Sequence, residues 1–269
     1  MDLLQKKLFL FDIDGTLAVG DALLPGAAAL LEEIARRGGT SLFITNNSTR
    51  SQQDYVKRFE EVFGLHTHAS QFVTASYLTA RYLKQIYGTA PIYVQGTRSF
   101  VQELQTFGLN VHTELPCEPV CIVVGYDSEL TYGKLSRTAQ LLQQTTVPFY
   151  GTNPDLRCPS SFGFVPDCGA ICAMLTQTTD RIPTYLGKPS AQVVAACLEQ
   201  TGYSGQQTLV VGDRLYTDIA CGQAAKVDTC LFLCGEACEN DLQTTRFIPD
   251  LVLEGPQALV EAMRTVGSP

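Results

Sequence analysis

Short unbroken apolar runs alternate along this chain with longer stretches whose apolar residues recur at helical spacing. The first run, Leu8 to Phe11, leads into Asp12-Ile13-Asp14-Gly15-Thr16. An apolar run with no polar interruption is the pattern of a strand covered on both faces within a parallel sheet. From 26 to 37 the apolar positions follow a helix, which Gly38-Gly39 should stop. A second buried strand is expected over 40–45, and Ser51 can cap a helix running to about Phe63. A helix near 76–87 precedes a new series that begins at Pro91: helix 97–107, strand 120–124, helix 131–145, strand 147–150 and helix 169–178. Lys188-Pro189-Ser190 opens helix 190–201, and a strongly apolar strand starts at Thr208 and ends at Gly212-Asp213. A helix from about Thr217, strands at 229–233 and near Leu251, and a final helix complete the pattern. Such alternation implies an α/β fold with parallel sheets and right-handed crossovers.

Candidate chemistry collects where strands end, which is where open α/β sheets bind ligands. Asp12 and Asp14 start on the same side of a strand, with Ile13 turned away, and Gly15 permits the tight turn that exposes them. Bare buried charge is costly, so these carboxylates must be solvated, paired or bound to a cation. Thr45-Asn46-Asn47 supplies a hydroxyl and two amides after the second strand, groups that donate to an anion without adding charge. Lys188, just before a helix, would set its ammonium beside exposed backbone N–H groups, an arrangement suited to phosphate. Asp213 follows four apolar residues; Asp218 is either a further carboxylate of the site or a first-turn helix residue favoured by the dipole. Each cluster alone is an ordinary boundary. Together they make a site for a divalent metal, magnesium by its preference for hard oxygen ligands, plus a phosphoryl group. No G-x-G-x-x-G follows a strand and no G-x-x-x-x-G-K-[ST] is present, which removes the dinucleotide and P-loop alternatives.

Composition changes this picture little. With 269 residues and 45% hydrophobic content the chain can build one large domain or two modest ones. A net charge of -8 argues against a nucleic-acid partner. No apolar run approaches a membrane span and the first residues lack signal-peptide order, so a cytoplasmic, membrane-free protein is expected. The ten cysteines form no C-x-x-C pair, and the three histidines, His66, His68 and His112, are not spaced to complete a zinc site. Most of the thiols fall in apolar runs and are expected to pack as small hydrophobes.

The ordered motifs Asp12-Ile13-Asp14-Gly15-Thr16, Thr45-Asn46-Asn47, Gly187-Lys188-Pro189 and Gly212-Asp213 to Asp218 resemble those of the haloacid dehalogenase-type phosphatases. Phe43 to Ser51, Gly151-Thr152-Asn153-Pro154-Asp155 and Gly212-Asp213-Arg214 are similar to the NagD-like, para-nitrophenyl-phosphatase-like branch, whose cap is of class IIA. The resemblance implies a doubly wound parallel-sheet core, residues 1–75 and 184–269, with an α/β cap inserted over 76–183. It implies a magnesium-dependent hydrolase of small phosphorylated metabolites such as a sugar phosphate, phosphoglycolate or a nucleotide, with para-nitrophenyl phosphate as an artificial substrate.

By the same resemblance, Asp12 would be the nucleophile that forms an aspartyl-phosphate, and Asp14 the acid and base. Asp12, the Asp14 backbone carbonyl and Asp213 would hold magnesium. Thr45, Asn46 and Lys188 would clamp the phosphoryl oxygens, and Asp218 would brace them through Lys188 or a metal-bound water. Cap residues Thr152, Asn153 and Asp155, with Asn47 as the core residue facing the cap, would choose the leaving group. Asp167 departs from the glycine common in the branch, adding charge near the expected substrate loop. A cap-mediated homodimer is in keeping with the family. The alternative, a non-catalytic phosphate-ligand binding or regulatory protein on the same fold, expects one of Asp12, Asp14, Lys188 or Asp213 to be missing, and all four are present.

Overall fold

The structure, a computed structural model, describes residues 1–160 and 162–266. Its contacts divide the chain into two compact units. Met1–Thr45, Val56–Val73 and the described residues from Lys188 onward form the first; Asn46–Tyr55 and the described residues of 74–187 form the second.

In chain order the elements begin with β1 (Leu8–Phe11), the short pair β2 (Ala18–Val19) and β3 (Ala22–Leu23), α1 (Ala27–Arg36), β4 (Thr40–Thr45), α2 (Gln52–Phe63) and β5 (Phe72–Thr74). There follow α3 (Ala75–Tyr87), β6 (Pro91–Gln95), α4 (Arg98–Thr106), β7 (Asn110–His112), β8 (Ile122–Val124), α5 (Tyr132–Gln144) and β9 (Phe149–Gly151). Next come β10 (Arg157–Ser160), β11 (Gly163–Pro166), α6 (Cys168–Thr179), β12 (Thr184–Tyr185), α7 (Ala191–Thr201) and β13 (Thr208–Gly212). The chain closes with α8 (Ala220–Ala224), β14 (Asp228–Phe232), β15 (Leu251–Leu253) and α9 (Pro256–Val266).

The first unit is built on a six-stranded sheet of order β15-β14-β13-β1-β4-β5, and β1 runs parallel to both β13 and β4. Every residue of β1 and of β13 is buried, as their unbroken apolar character requires. The chain leaves β1 toward β4 on one side and later returns to β13 on the other. The carboxyl ends of β1 and β13 therefore flank the switch point, the place where this topology opens a crevice. Phe43 of β4, Phe59 of α2 and Phe72 of β5 pack with ring centroids 4.7–5.0 Å apart.

The second unit has a parallel five-stranded sheet, β12-β9-β8-β6-β7. Strand alternation divides its core. Ile92, Val94 and Val123 pack with Leu83 of α3 and Phe100 and Leu104 of α4. Tyr93, Ile122 and Val124 pack on the other face with Leu141 of α5 and Ile171 of α6. The antiparallel hairpin β10–β11 stands apart from this sheet.

The second unit begins earlier than expected in one place, because 46–55 joins it. Ser48 Oγ lies 2.9 Å from Thr152 Oγ1, Thr97 Oγ1 donates to the Thr49 carbonyl, and the backbone N–H of Gln52 donates to Glu103. These polar ties fasten the segment after β4 to the second unit. Asn47 is thus not a residue of the first unit: its Oδ1 accepts from the backbone and hydroxyl of Thr49 within the same segment, at 2.9 and 2.7 Å.

Candidate active site

The first unit gathers a buried cluster of ionisable side chains at the carboxyl ends of β1 and β13. Asp12 follows β1 directly, with its backbone N–H donating to the Val211 carbonyl at 2.9 Å. Its Oδ1 accepts from Lys188 Nζ at 2.5 Å. The same ammonium donates to Asp218 Oδ1 at 2.6 Å and to the Ile44 carbonyl at 3.1 Å. Lys188 is therefore aimed into the sheet and spent on two carboxylates, not turned toward the backbone N–H groups of α7 as its sequence position suggested. Three acceptors satisfy its three donors, the condition under which a buried ammonium is tolerated.

Asp218 sits in a π-helical turn, Leu215–Ile219, that precedes α8. Its second oxygen accepts the Arg214 backbone N–H at 3.1 Å. A π turn is a common device for re-aiming a functional side chain. Gly212 is required beneath it, since a Cβ there would lie 2.3 Å from the Asp218 Cβ.

Asp213 accepts from the Thr16 hydroxyl at 3.0 Å and from the Glu236 backbone N–H at 2.8 Å. Gly15 has φ +97°, and a Cβ on it would meet Asp213 Oδ2 at 2.4 Å. The glycine of the Asp-Gly-Thr turn thus serves both the left-handed backbone and the close approach of a second carboxylate. Asp14 turns away from this cluster: it is half-buried, and Arg58 Nη1 donates to its Oδ1 at 3.4 Å. Thr45 is buried at the end of β4.

Asp12, Asp213 and Asp218 each bring a carboxylate oxygen within 4.8 Å of the others. Burial pushes the Asp12 carboxyl up to about 8, the charges of Asp218 and Asp213 adding to the effect and the Lys188 ammonium pulling against it. Burial likewise lifts Asp213 to about 6, with the Asp218 charge adding and Arg214, the Glu236 N–H and Thr16 opposing. Burial works against the Lys188 ammonium, but the charges of Asp12 and Asp218 outweigh it and hold lysine above its ordinary value. Three carboxylates against one ammonium leave negative charge that a cation would relieve. A hard divalent ion fits this all-oxygen donor set of Asp12, Asp213 and Asp218.

The second unit holds a separate polar cluster. Asn153 Nδ2 donates to the Asn46 carbonyl at 2.7 Å, its Oδ1 accepts from the Asp155 backbone N–H at 2.9 Å, and Asn46 Nδ2 donates to Asp155 at 3.1 Å. The Asn46 amide, expected on the phosphoryl group, is thus directed to Asp155. Asp167 caps α6 through the Cys168 N–H and also accepts from Asn153 at 3.3 Å. Its departure from glycine is a helix cap built into this cluster.

Sequence reading missed Arg58 beside Asp14 and Glu236 beside Asp213. Thr16 stood in the first motif with no role assigned, yet a hydroxyl directly after Asp-Gly was a usable signal. Arg58 and the backbone of Glu236 carry none, because only the fold brings them in.

Comparison with known proteins agrees with this arrangement. Residues 9–110 match the family model for haloacid dehalogenase-like hydrolases, and residues 185–258 match a second, HAD-hydrolase-like model. Ribonucleotide monophosphatase NagD of Escherichia coli (strain K12) is 31% identical over 246 residues, covering 91% of this chain and 95% of that one. Acid sugar phosphatase of Staphylococcus aureus (strain MRSA252) is 29% identical, covering 91% and 93%. Among solved structures, 4-nitrophenylphosphatase from Thermotoga maritima superposes with a TM-score of 0.91 at 34% identity, covering 97% of this chain and 98% of that one. The p-nitrophenyl phosphatase from Archaeoglobus fulgidus gives 0.88 at 27% identity, covering 96% and 99%. An α/β hydrolase with an inserted cap domain and a strand-end carboxylate cluster is the class that fold and site define. The chain belongs to the haloacid dehalogenase-like hydrolases, in the NagD-like branch, and is a phosphomonoester phosphatase. Among the described residues no helix is long and apolar enough to cross a membrane.

Proposed function

We propose that this protein is a magnesium-dependent phosphatase of small phosphorylated metabolites that works through an aspartyl-phosphate on Asp12. The observation that carries the reading is Asp12 at the end of β1, fixed by Lys188 and set beside Asp213. An Asp12 oxygen attacks phosphorus as the ester P–O bond breaks, and Asp14 gives its proton to the departing oxygen. Asp14 then takes a proton from water, whose oxygen attacks phosphorus, frees the Asp12 carboxylate and releases phosphate. Lys188, exchanging its Asp12 acceptor for a phosphoryl oxygen as Asp12 attacks, and Thr45 donate to the phosphoryl group where charge gathers in the transition state. Asp218 holds Lys188 in line for this task. Magnesium held by Asp12, the Asp14 carbonyl and Asp213 would offset repulsion between the carboxylates and the phosphate.

Arg58 beside Asp14 belongs to a resting arrangement, since a general acid must be free to carry its proton to the leaving group. We assign the choice of ester to the inserted α/β cap, with Asn47, Thr152, Asn153 and Asp155 as the residues whose replacement should change preference among substrates. A sugar phosphate, phosphoglycolate or nucleoside monophosphate suits the small, polar character of that cluster, and the names of the relatives point the same way. Phosphate release from a panel of such esters, with magnesium and then with a chelator, tests the reading. Release that depends on magnesium and on a subset of the panel supports it; equal release with chelator overturns the metal requirement.

A further inference from the structure

The second unit contains a cavity of about 790 Å³ whose walls include none of the carboxylates described above. It opens at the carboxyl end of β6, the strand from which the chain leaves by α4 to β7 on one side and later returns to β8 on the other. α4 and α5 cover opposite faces of the sheet, as their separate core clusters show, so they part at the end of β6. This is the same topological switch that places Asp12 and Asp213 in the first unit, and it is the default ligand position of a doubly wound sheet. The volume lies within the range of small-molecule sites.

Its donors point to the kind of ligand. Gln95 lines the cavity and is 1% exposed. Its Oε1 accepts from the Thr138 hydroxyl at 2.5 Å, while its Nε2 is buried with no hydrogen-bond partner. Arg137 also lines the cavity; its Nη2 pairs with Glu114 at 3.0 Å and its Nε is buried without a partner. Two buried N–H donors lacking acceptors are costly, and a ligand oxygen is what relieves them. Gly96, just before α4, and Thr131, the N-cap of α5, bring both helix starts to the same wall, where the Arg98 backbone N–H is already held by the Glu129 carboxylate at 3.2 Å. Arg98, paired with Glu129 of the same rim at 3.8 Å, adds a cation, and Val101 with Tyr93 gives an apolar side.

We propose that this cavity is a second ligand site, one that takes a small metabolite bearing an anionic oxygen group, carboxylate or phosphate, on Gln95 and Arg137. The site is independent of the phosphatase reading, since it shares no residue with the acid cluster.

Sulfate and succinate serve as non-hydrolysable probes for the two oxyanion types. Each is titrated into the intact protein while the amide resonances of Gly96 and Thr131 and the Gln95 side-chain NH2 are followed. Saturable shifts at these positions with either probe are expected, and whichever probe acts identifies the class. Gln95→Leu and Arg137→Gln should each weaken the response about tenfold, the loss expected for a hydrogen bond to a charged group. Arg137 lies at the surface rim, so its variant keeps the test meaningful if Gln95→Leu fails to fold. Shifts confined to the surroundings of Lys188, no saturable shift with either probe, or equal affinity in folded variants would each overturn the proposal.

Discussion

Replacing Lys188 with Met removes the cation that holds Asp12 and Asp218 while keeping the length of the side chain. Lys188 is 2% exposed and both its carboxylate partners are buried, so water cannot take its place. Breaking one side of a buried ion pair costs about 3–5 kcal/mol. The pocket escapes part of that by taking up a proton. At pH 7 protonating one carboxyl costs about 4 kcal/mol relative to an unfolded chain with pKa near 3.9, and at pH 5 only about 1.5 kcal/mol. The sign follows from linkage: the variant's folded state binds one proton more than the native folded state, while the unfolded chains bind alike, so acid stabilises it relative to the native protein. Urea unfolding in chelator should show a loss of about 3–5 kcal/mol at pH 7 that shrinks to about 1–2 kcal/mol at pH 5. Adding Asp218→Asn to the variant should recover a measurable part of the loss. A loss under about 1 kcal/mol at pH 7, or an equal loss at both pH values, would refute the role of Lys188 as counter-ion.

Other consequences follow from the same geometry. In metal-free protein, Asp213 near 6 and Asp12 near 8 both lie above the unfolded carboxylate value, so stability should fall as pH rises from about 5 to 8. Magnesium should flatten this slope in thermal melts, and parallel profiles with and without the ion would count against a shared metal site. Gly15→Ala places a Cβ 2.4 Å from Asp213 at a left-handed φ, for a cost of about 1–3 kcal/mol. Its magnesium half-saturation in activity assays should rise, because Asp213 is what must move. Asp167→Ala removes the α6 cap and an Asn153 partner. Denaturation should show a loss of about 1–2 kcal/mol.

Much of this molecule is legible in residue order because its chemistry sits at the ends of unbroken apolar runs. β1, the Leu42–Ile44 centre of β4 and the Leu209–Val211 run of β13 announce themselves as unbroken apolar stretches, and Asp12, Thr45 and Asp213 lie at or just beyond their ends. The short edge strands β5, β7 and β12 are too brief to show a period. The β10–β11 hairpin is mostly exposed and so lacks the alternation of a half-buried strand. Lys188 was found as a residue but misplaced as an interaction. Its helix-opening position suggested the local backbone, whereas Asp12 lies 176 residues away in sequence. The segment after β4 changes unit without any change in composition; only the hydrogen bonds of Ser48, Thr49 and Gln52 reveal it. Gln95 ends an apolar strand as an ordinary polar boundary would, and its unbonded amide is a property of the packed sheet alone.

Acid quenching of the enzyme during turnover with magnesium, followed by mass spectrometry of its peptides, tests the proposed chemistry most directly. The prediction is one phosphoryl group on the peptide that contains Asp12, accumulating during turnover and absent from a folded Asp12→Asn variant, which should also release no phosphate. Rapid phosphate release with no label on Asp12 at any quench time, or substantial turnover by Asp12→Asn, would contradict it.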